Sequence, residues 1–237
     1  MKNLPRNLGS AGDLLKRGFK VKKYLQLMLA VTMLTGCSFA KADSNEDTKP
    51  VETVEEKQVK KNSGLYVPNP QVTDDRELKK AGDSLIDDKG ELTLKAVKEV
   101  NETFNLDGIE YKVKEIKLLH FIPDYSLIDF FHPYTHDEEF DFVKIGVEIQ
   151  NNSKESYHFG PVAMVNINDS IHKTWEDDFY LEELHGEIIG GQKKQGNLGF
   201  IVDDLENLDK VEILSGDLVD KEKKKIEEPV NLVVTFE

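Results

Sequence analysis

The sequence has little cysteine, a deficit of basic charge and no long apolar run, and each shortage excludes a class of protein. One Cys in 237 residues excludes a disulfide-stapled scaffold. No apolar run approaches the length of about 20 residues that a spanning helix needs, which excludes a multispan membrane protein. Lys and Arg number 31 against 45 Asp and Glu, a net charge of −14. Because such a chain repels phosphate, we expect no nucleic-acid partner.

The N-terminal residues have the pattern of an export signal. Lys22 and Lys23 precede an apolar stretch, 24–36, which is too short to span a bilayer as a helix. The stretch ends in the residues Leu-Thr-Gly-Cys, and Cys37 is the only Cys in the chain. This run resembles the lipobox of bacterial lipoproteins. The resemblance implies that Cys37 carries diacylglycerol and holds the protein on the extracytoplasmic face of the cell membrane.

Composition divides the chain into four predicted parts. They are a signal peptide at 1–36, a lipidated Cys with a disordered acidic tether at 37–64, a transitional extended segment at 65–90 and a β domain at 91–237. The tether has too few apolar residues to offset the entropy lost on folding. A further hypothesis starts translation at Val21, because Lys16-Arg17-Gly18 can be encoded by a purine-rich ribosome-binding sequence.

From residue 91 onward, apolar and polar residues alternate in about eight short segments, which is the period of half-buried strands. The clearest inward face runs from Val143 to Ile149, and Lys144 and Glu148 between its members are expected to face solvent. The alternation slips at Lys114-Glu115, which predicts a β-bulge. Short alternating strands favour an antiparallel β-sandwich in which one face of each sheet is wet. In the preceding segment, Asp74 is expected to cap a short helix over 75–81.

The β region also resembles a known family: the immunoglobulin-like domain of unknown function of lipoproteins from low-GC Gram-positive bacteria. The residues that carry the resemblance are Val143–Ile149 followed by Asn151, Asn152 and Ser153, then Phe159 and Pro161, and finally Gly190, Gly191, Lys193, Lys194, Gly196 and Phe200. The resemblance implies an all-β, immunoglobulin-like antiparallel β-sandwich. It brings no catalytic residues with it.

Motifs that would identify an enzyme are missing from the sequence. It has no G-x-S-x-G elbow, P-loop, dinucleotide glycine fingerprint or H-E-x-x-H. We therefore expect a non-catalytic module without a cofactor, whose partners are the membrane, through its lipid, and an envelope protein or ligand. The alternative is a metal-capturing protein or metal-dependent enzyme that uses His132, His136 and Glu139, because His and carboxylate suit Zn²⁺. A nearby histidine, His120, is expected to be satisfied by a hydrogen bond at a sheet edge.

The segment between Leu119 and Asp141 is long for a connection between strands and holds five aromatic residues: Phe130, Phe131, Tyr134, Phe140 and Phe142. Loops beyond about 12–15 residues are usually functional or disordered, and aromatic residues argue against disorder. One interpretation is a structural flap over the sandwich edge. The other is a partner-contacting surface, whose candidate residues are Phe131, His132, Tyr134 and His136.

Overall fold

The alternating segments fold as strands, so the predicted all-β class is confirmed. The computed structural model describes residues 67–202, 205 and 207–236. The predicted signal peptide, Cys37 and the tether lie outside the described residues. Within them the strands are β1 (Ser84–Asp87), β2 (Gly90–Leu106), β3 (Ile109–Pro123), β4 (Phe140–Asn151), β5 (Tyr157–Phe159), β6 (Met164–Ile167), β7 (Ile171–Thr174), β8 (Gly186–Ile188), β9 (Lys193–Val202), β10 (Lys210–Leu214), β11 (Leu218–Asp220), β12 (Lys225–Glu227) and β13 (Asn231–Thr235).

Among the described residues, helical structure is confined to single turns. They are the α-helix α1 (Ile128–Phe131) and the 3₁₀ turns Asp75–Glu77, Tyr125–Leu127 and Trp175–Asp177. The side chain of Asp74 accepts a hydrogen bond from the Arg76 N–H at 3.1 Å, so the predicted cap is present, although the helix ends at Glu77. In the part of the chain that the structure describes, no helix is long and apolar enough to cross a membrane.

The strands form three antiparallel sheets. The main sheet has the order β1-β2-β3-β4-β9, the second sheet β13-β10-β6-β7 and the third sheet β12-β11-β5-β8. The main sheet is built on a long hairpin, because β2 has 17 residues and β3 has 15. These two strands are longer than the alternation predicted. Register shifts interrupt the pairing of β2 with β3 at two places, and each shift breaks the alternation that marks a strand in the sequence. The predicted bulge is confirmed by the register shift between Val113 and Glu115 where β3 pairs with β4.

The first hydrophobic core lies against the inner face of the main sheet. Its members in β4 are Val143, Ile145, Val147 and Ile149, all fully buried. Residues of the second and third sheets belong to the same cluster, including Val165 of β6 and Phe159 of β5. The layers therefore pack as a sandwich, and burial of this apolar area supplies most of the driving force for folding.

A second hydrophobic core covers the outer face of the main sheet, which corrects the expectation of a wet face. Leu92, Leu119, Phe121 and Phe142 of the sheet pack there, and Val72 of the segment before β1 packs against the same cluster. The segment at 65–90 is thus not merely transitional, since its described part covers the sheet. Sequence alternation along β4 did not reveal this cover, because the covering residues lie far away in the chain.

Candidate functional site

A buried ionic cluster lies on the outer face next to the second core. Lys144 is 2% exposed, which contradicts the prediction that it faces solvent. It pairs with Asp75, and its Nζ lies 3.0 Å from an Oε1 atom of Glu115. Lys117 Nζ lies 2.7 Å from Asp75 Oδ2 and 3.5 Å from Glu115 Oε1. Two carboxylates and two ammonium groups balance one another, which is the condition under which buried charges are tolerated.

The pKa values in this ionic cluster reflect two opposed effects. Burial disfavours the charged form of Asp75, but the charges of Lys144 and Lys117 outweigh it, and the pKa of Asp75 lies below its ordinary value. Burial likewise favours neutral Lys144, yet Asp75 and Glu115 together raise the pKa of Lys144. Asp75 and Lys144 are therefore both charged at neutral pH.

Two further carboxylates lie along the free edge of the main sheet at β9. Asp178 Oδ1 accepts hydrogen bonds from the N–H groups of Gly199, at 2.8 Å, and Tyr180, at 3.0 Å. Glu182 Oε2 accepts a hydrogen bond from the Asn197 N–H at 2.8 Å. Each carboxylate therefore satisfies a backbone donor that an edge strand leaves without a strand partner.

Burial raises the pKa of both edge carboxylates, and hydrogen bonds oppose that effect. For Asp178 burial dominates over the N–H donors and raises the pKa to about 6. For Glu182 burial again dominates over hydrogen bonds from Asn197 and Asn69, and its pKa is raised. A half-buried carboxylate that holds its proton more tightly than usual is a frequent property of functional sites.

A cavity of about 470 Å³ opens beside Glu182, above Gly146 of β4. We call it the outer cavity. One wall is the segment 67–71, another is the loop 180–182, and Glu115 and Gly196 also line it. Its volume falls in the range of about 300–1,000 Å³ that is typical of small-molecule sites.

The loop that carries Glu182 holds an unusual backbone conformation. Leu181 has φ of 55° and Glu183 has φ of 51°, so both flanking residues are in the left-handed region although neither is Gly. Such residues cost on the order of 1 kcal/mol each and persist where surrounding contacts impose them. Gly196 accommodates this arrangement, because a Cβ there would lie 2.3 Å from Glu182 Oε2.

The sequence did not predict the outer cavity, although two glycines within strands were an indirect sign of it. Gly146 and Gly196 each lie within a strand, and an isolated Gly in a strand often marks a close approach of another group. In the sequence, only the family resemblance distinguishes Gly196 from other glycines. Nothing local to Glu182 distinguishes it from its many acidic neighbours, because its burial depends on Asn69, more than 100 residues away.

The residues 124–139, which join β3 to β4, mainly cover the second core. Phe131 is 2% exposed, and its ring centroid lies 5.0 Å from that of Phe140 and 5.6 Å from that of Phe179. Phe131 is therefore a core residue, which contradicts a partner-contacting role for it. The rings of exposed His132 and His136 are 4.6 Å apart, and Tyr134 is half-buried. A partner-contacting role for these three stays a prediction.

Glu139, the third metal candidate, lies near a different histidine. Its Oε2 atom is 3.8 Å from His120 Nε2. His120 Nδ1 lies 2.8 Å from Asp141 Oδ1, so the expected satisfying hydrogen bond is present, although β3 is a central strand and not an edge. Asp141 also pairs with Lys95 at 2.6 Å. Over the described residues, no group of three or more His, Cys, Asp or Glu side chains could hold a metal ion.

Comparison with known proteins places the chain in a family. The model of a domain of unknown function (DUF4352) matches residues 98–224. The uncharacterized protein YdhF of Bacillus subtilis is 40% identical over 241 residues, which cover 91% of this chain and 100% of YdhF.

Solved structures similar to the chain include a functionally unknown protein from Listeria monocytogenes and the YjhA protein from Bacillus subtilis. The first is 17% identical, with 62% of this chain and 87% of that one covered and a TM-score of 0.45. The second is 14% identical, with 59% and 99% covered and a TM-score of 0.35. From the matched model and the 40% identical relative, the chain belongs to the family of the domain of unknown function DUF4352.

Proposed function

We propose that this protein is a lipid-anchored, extracytoplasmic binding module without catalytic activity, and that the outer cavity is its ligand site. The observation that carries the binding role is the cavity itself, with Glu182 held at its side by a strained loop. A rigid sandwich that presents loops is a common scaffold for binding sites. The lack of catalytic motifs in the sequence supports a role in binding and not in chemistry.

The proposed location rests on the sequence around Cys37. A lipid on that residue would hold the domain at the extracytoplasmic face of the cell membrane by a tether of about 30 residues. Two acyl chains are enough for stable anchoring. Without residues 1–36, the chain has 24 Lys and Arg against 44 Asp and Glu, a net charge of −20. An anionic lipid surface repels a domain of this charge, which favours its exposure to the envelope space.

The anchoring part is tested by metabolic labelling of cells with an alkyne-tagged fatty acid. We expect label on the wild-type protein and on Ser38→Ala, and none on Cys37→Ala, because only the Cys thiol accepts the diacylglycerol. Protease added to intact cells should degrade the labelled protein. Label retained on Cys37→Ala, or protection of the wild type from protease, would show that the anchoring proposal is wrong.

The binding part is tested separately by placing a photo-crosslinking amino acid at Leu181, on the rim of the outer cavity, in intact cells. The control position is Val233 of β13, which is exposed to a similar extent, at 53% against 58%. We expect adducts at position 181 that are missing at position 233. Identical adduct patterns at the two positions would remove the outer cavity as the ligand site.

A further inference from the structure

The charges around the outer cavity do not cancel. Asp75 and Glu115 are balanced by Lys117 and Lys144 within the ionic cluster. Glu182 adds one negative charge at the cavity wall, and its partners among the described residues are the amides of Asn197 and Asn69. The charge of Lys144 also acts on Glu182, but Lys144 is already paired with Asp75 and Glu115, so Glu182 remains an excess negative charge at the cavity.

Two further charges lie next to this region, and its net charge stays negative when they are included. Asp178, on the same loop, adds a second carboxylate behind Glu182. Lys114 lines the mouth of the outer cavity, and its side chain is exposed to solvent. Because an exposed ammonium group remains hydrated and screened, it offsets a half-buried carboxylate only weakly. With both included, the region still has one more negative charge than positive charges.

Glu182 also has hydrogen-bonding capacity left. An ionised carboxylate offers about four acceptor positions on its two oxygens. Its Oε2 atom accepts the bond from the Asn197 N–H at 2.8 Å, and its Oε1 atom has a long contact of 3.4 Å with Asn69 Nδ2. The Asn197 side chain also hydrogen-bonds to the carboxylate, so three of the four positions are in use. An N–H donor that enters the cavity can therefore bond to Oε1 without displacing the bond that holds the edge strand.

Apolar side chains line the opening of the cavity beside the polar residues Gln71 and Gln195. Leu181 is 58% exposed and Val67 is 78% exposed, and both line the opening together with Pro68, Pro70 and Tyr180. Large apolar side chains exposed around a concave site gain free energy when a ligand covers them. A ligand that is charged at one end and apolar along its body would match both features.

We propose that the outer cavity binds an organic cation, with a primary ammonium group on Glu182 and an apolar body against Leu181 and Val67. This inference rests on the proposed ligand-binding role of the cavity and is independent of the lipid anchor. A charge-assisted hydrogen bond from an ammonium group to a partly desolvated carboxylate is among the stronger polar contacts available to a small ligand.

The test uses three probes of matched length: hexylamine, hexanol and hexanoate. They are titrated by calorimetry and NMR into the full chain carrying Cys37→Ala, so that no acyl chain competes for the apolar wall. We expect saturable binding of hexylamine, at least tenfold weaker binding of hexanol and none of hexanoate. Glu182→Gln, which keeps an acceptor for the Asn197 N–H, should weaken hexylamine binding at least tenfold. Glu176→Gln, an exposed carboxylate outside the cavity, should leave it unchanged.

A second variant keeps the proposal testable if Glu182→Gln unfolds the domain. Leu181→Asn preserves the carboxylate and suits the left-handed backbone. This variant should bind hexylamine no more tightly than the wild type binds the shorter ethylamine, since the apolar contact is removed. Equal affinity for hexylamine and hexanol would overturn the cation proposal and leave a neutral apolar site. No saturable binding of hexylamine would overturn the cation proposal, whereas the ligand-binding role of the cavity is decided by the crosslinks at position 181.

Discussion

The two faces of the main sheet are both buried, but different kinds of residue are buried on each. The inner face of β4 is apolar between its two ends, where Val143, Ile145, Val147 and Ile149 are all fully buried. The outer face is apolar at one end, around Phe142, and carries paired charges further along the same strand. Alternation in a sequence identifies which residues share a face. It does not show whether a distant segment covers the other face.

The two faces also differ in what stabilises them. Burial of apolar area stabilises a face by about 25 cal/mol per Å² without requiring exact partners. A buried ionic cluster stabilises a face only while every charge keeps its partner, because the loss of water around each ion costs several kcal/mol. The inner face should therefore resist the insertion of any charge, and the outer face should resist the loss of one.

The largest effect is expected from Val147→Asp on the inner face. An unpaired carboxylate among fully buried apolar side chains has neither water nor a cation, and a cost of several kcal/mol should unfold the domain. The matched control is Val233→Asp on β13, where the side chain is 53% exposed. Circular dichroism of the two variants during urea unfolding makes the measurement. Similar stability of both variants would contradict the assignment of the inner face.

A somewhat smaller effect is expected from Asp75→Asn on the outer face. The change removes one of two carboxylates that balance Lys117 and Lys144, and breaking a buried pair from one side typically costs about 3–5 kcal/mol. Asp88→Asn is the control, since the Asp88 side chain is 92% exposed. If the two variants had the same midpoint of urea unfolding, the ionic cluster would not contribute to the stability of the outer face.

The smallest of the three effects is a pH dependence from Asp178. Its pKa is about 6 in the folded protein against an ordinary 3.8, so the folded state holds the proton more tightly than the unfolded state does. The stability that this group contributes is complete below pH 3.8 and is lost as the pH rises through 6. The loss amounts to about 3 kcal/mol at most.

Asp178→Asn removes this pH dependence while an amide oxygen can still accept the N–H bonds of Gly199 and Tyr180. We expect the variant to be more stable than the wild type at pH 8 and the difference to shrink towards pH 4. The free energy of unfolding, measured for both proteins across this range, gives the result. A constant difference between them would mean that Asp178 does not titrate as its burial implies.

Local features of the fold were predictable from the sequence because their causes are local. The bulge at Lys114-Glu115 follows from a slip in alternation, and the cap at Asp74 follows from an Asp in front of a turn. The burial of Lys144 was not predictable, because it depends on Asp75, which lies 69 residues earlier in the chain. A Lys between two apolar residues of a strand has the same pattern whether its face is wet or covered.

The candidate site was less predictable than the fold for the same reason. Its walls come from 67–71 and 180–182, and the strands beneath them supply the floor. No spacing rule connects residues that meet only after the sheet has formed. The aromatic segment is visible in the sequence because its residues are close together along the chain, but Phe131 and Phe140 belong to the second core.

The carboxylates at β9 have a consequence for the behaviour of many copies of this protein together. An open edge strand is a template on which a second chain can add a strand, and that is a common route to aggregation. At β9 the Gly199 and Asn197 N–H groups are already occupied by Asp178 and Glu182, and any approaching backbone would meet two negative charges. The opposite edge, β1, has only four residues. The β9 edge is thereby protected against intermolecular strand addition, whereas β1 pairs only with residues 90–93 of β2 and leaves most of that 17-residue strand as an edge where a second copy could add.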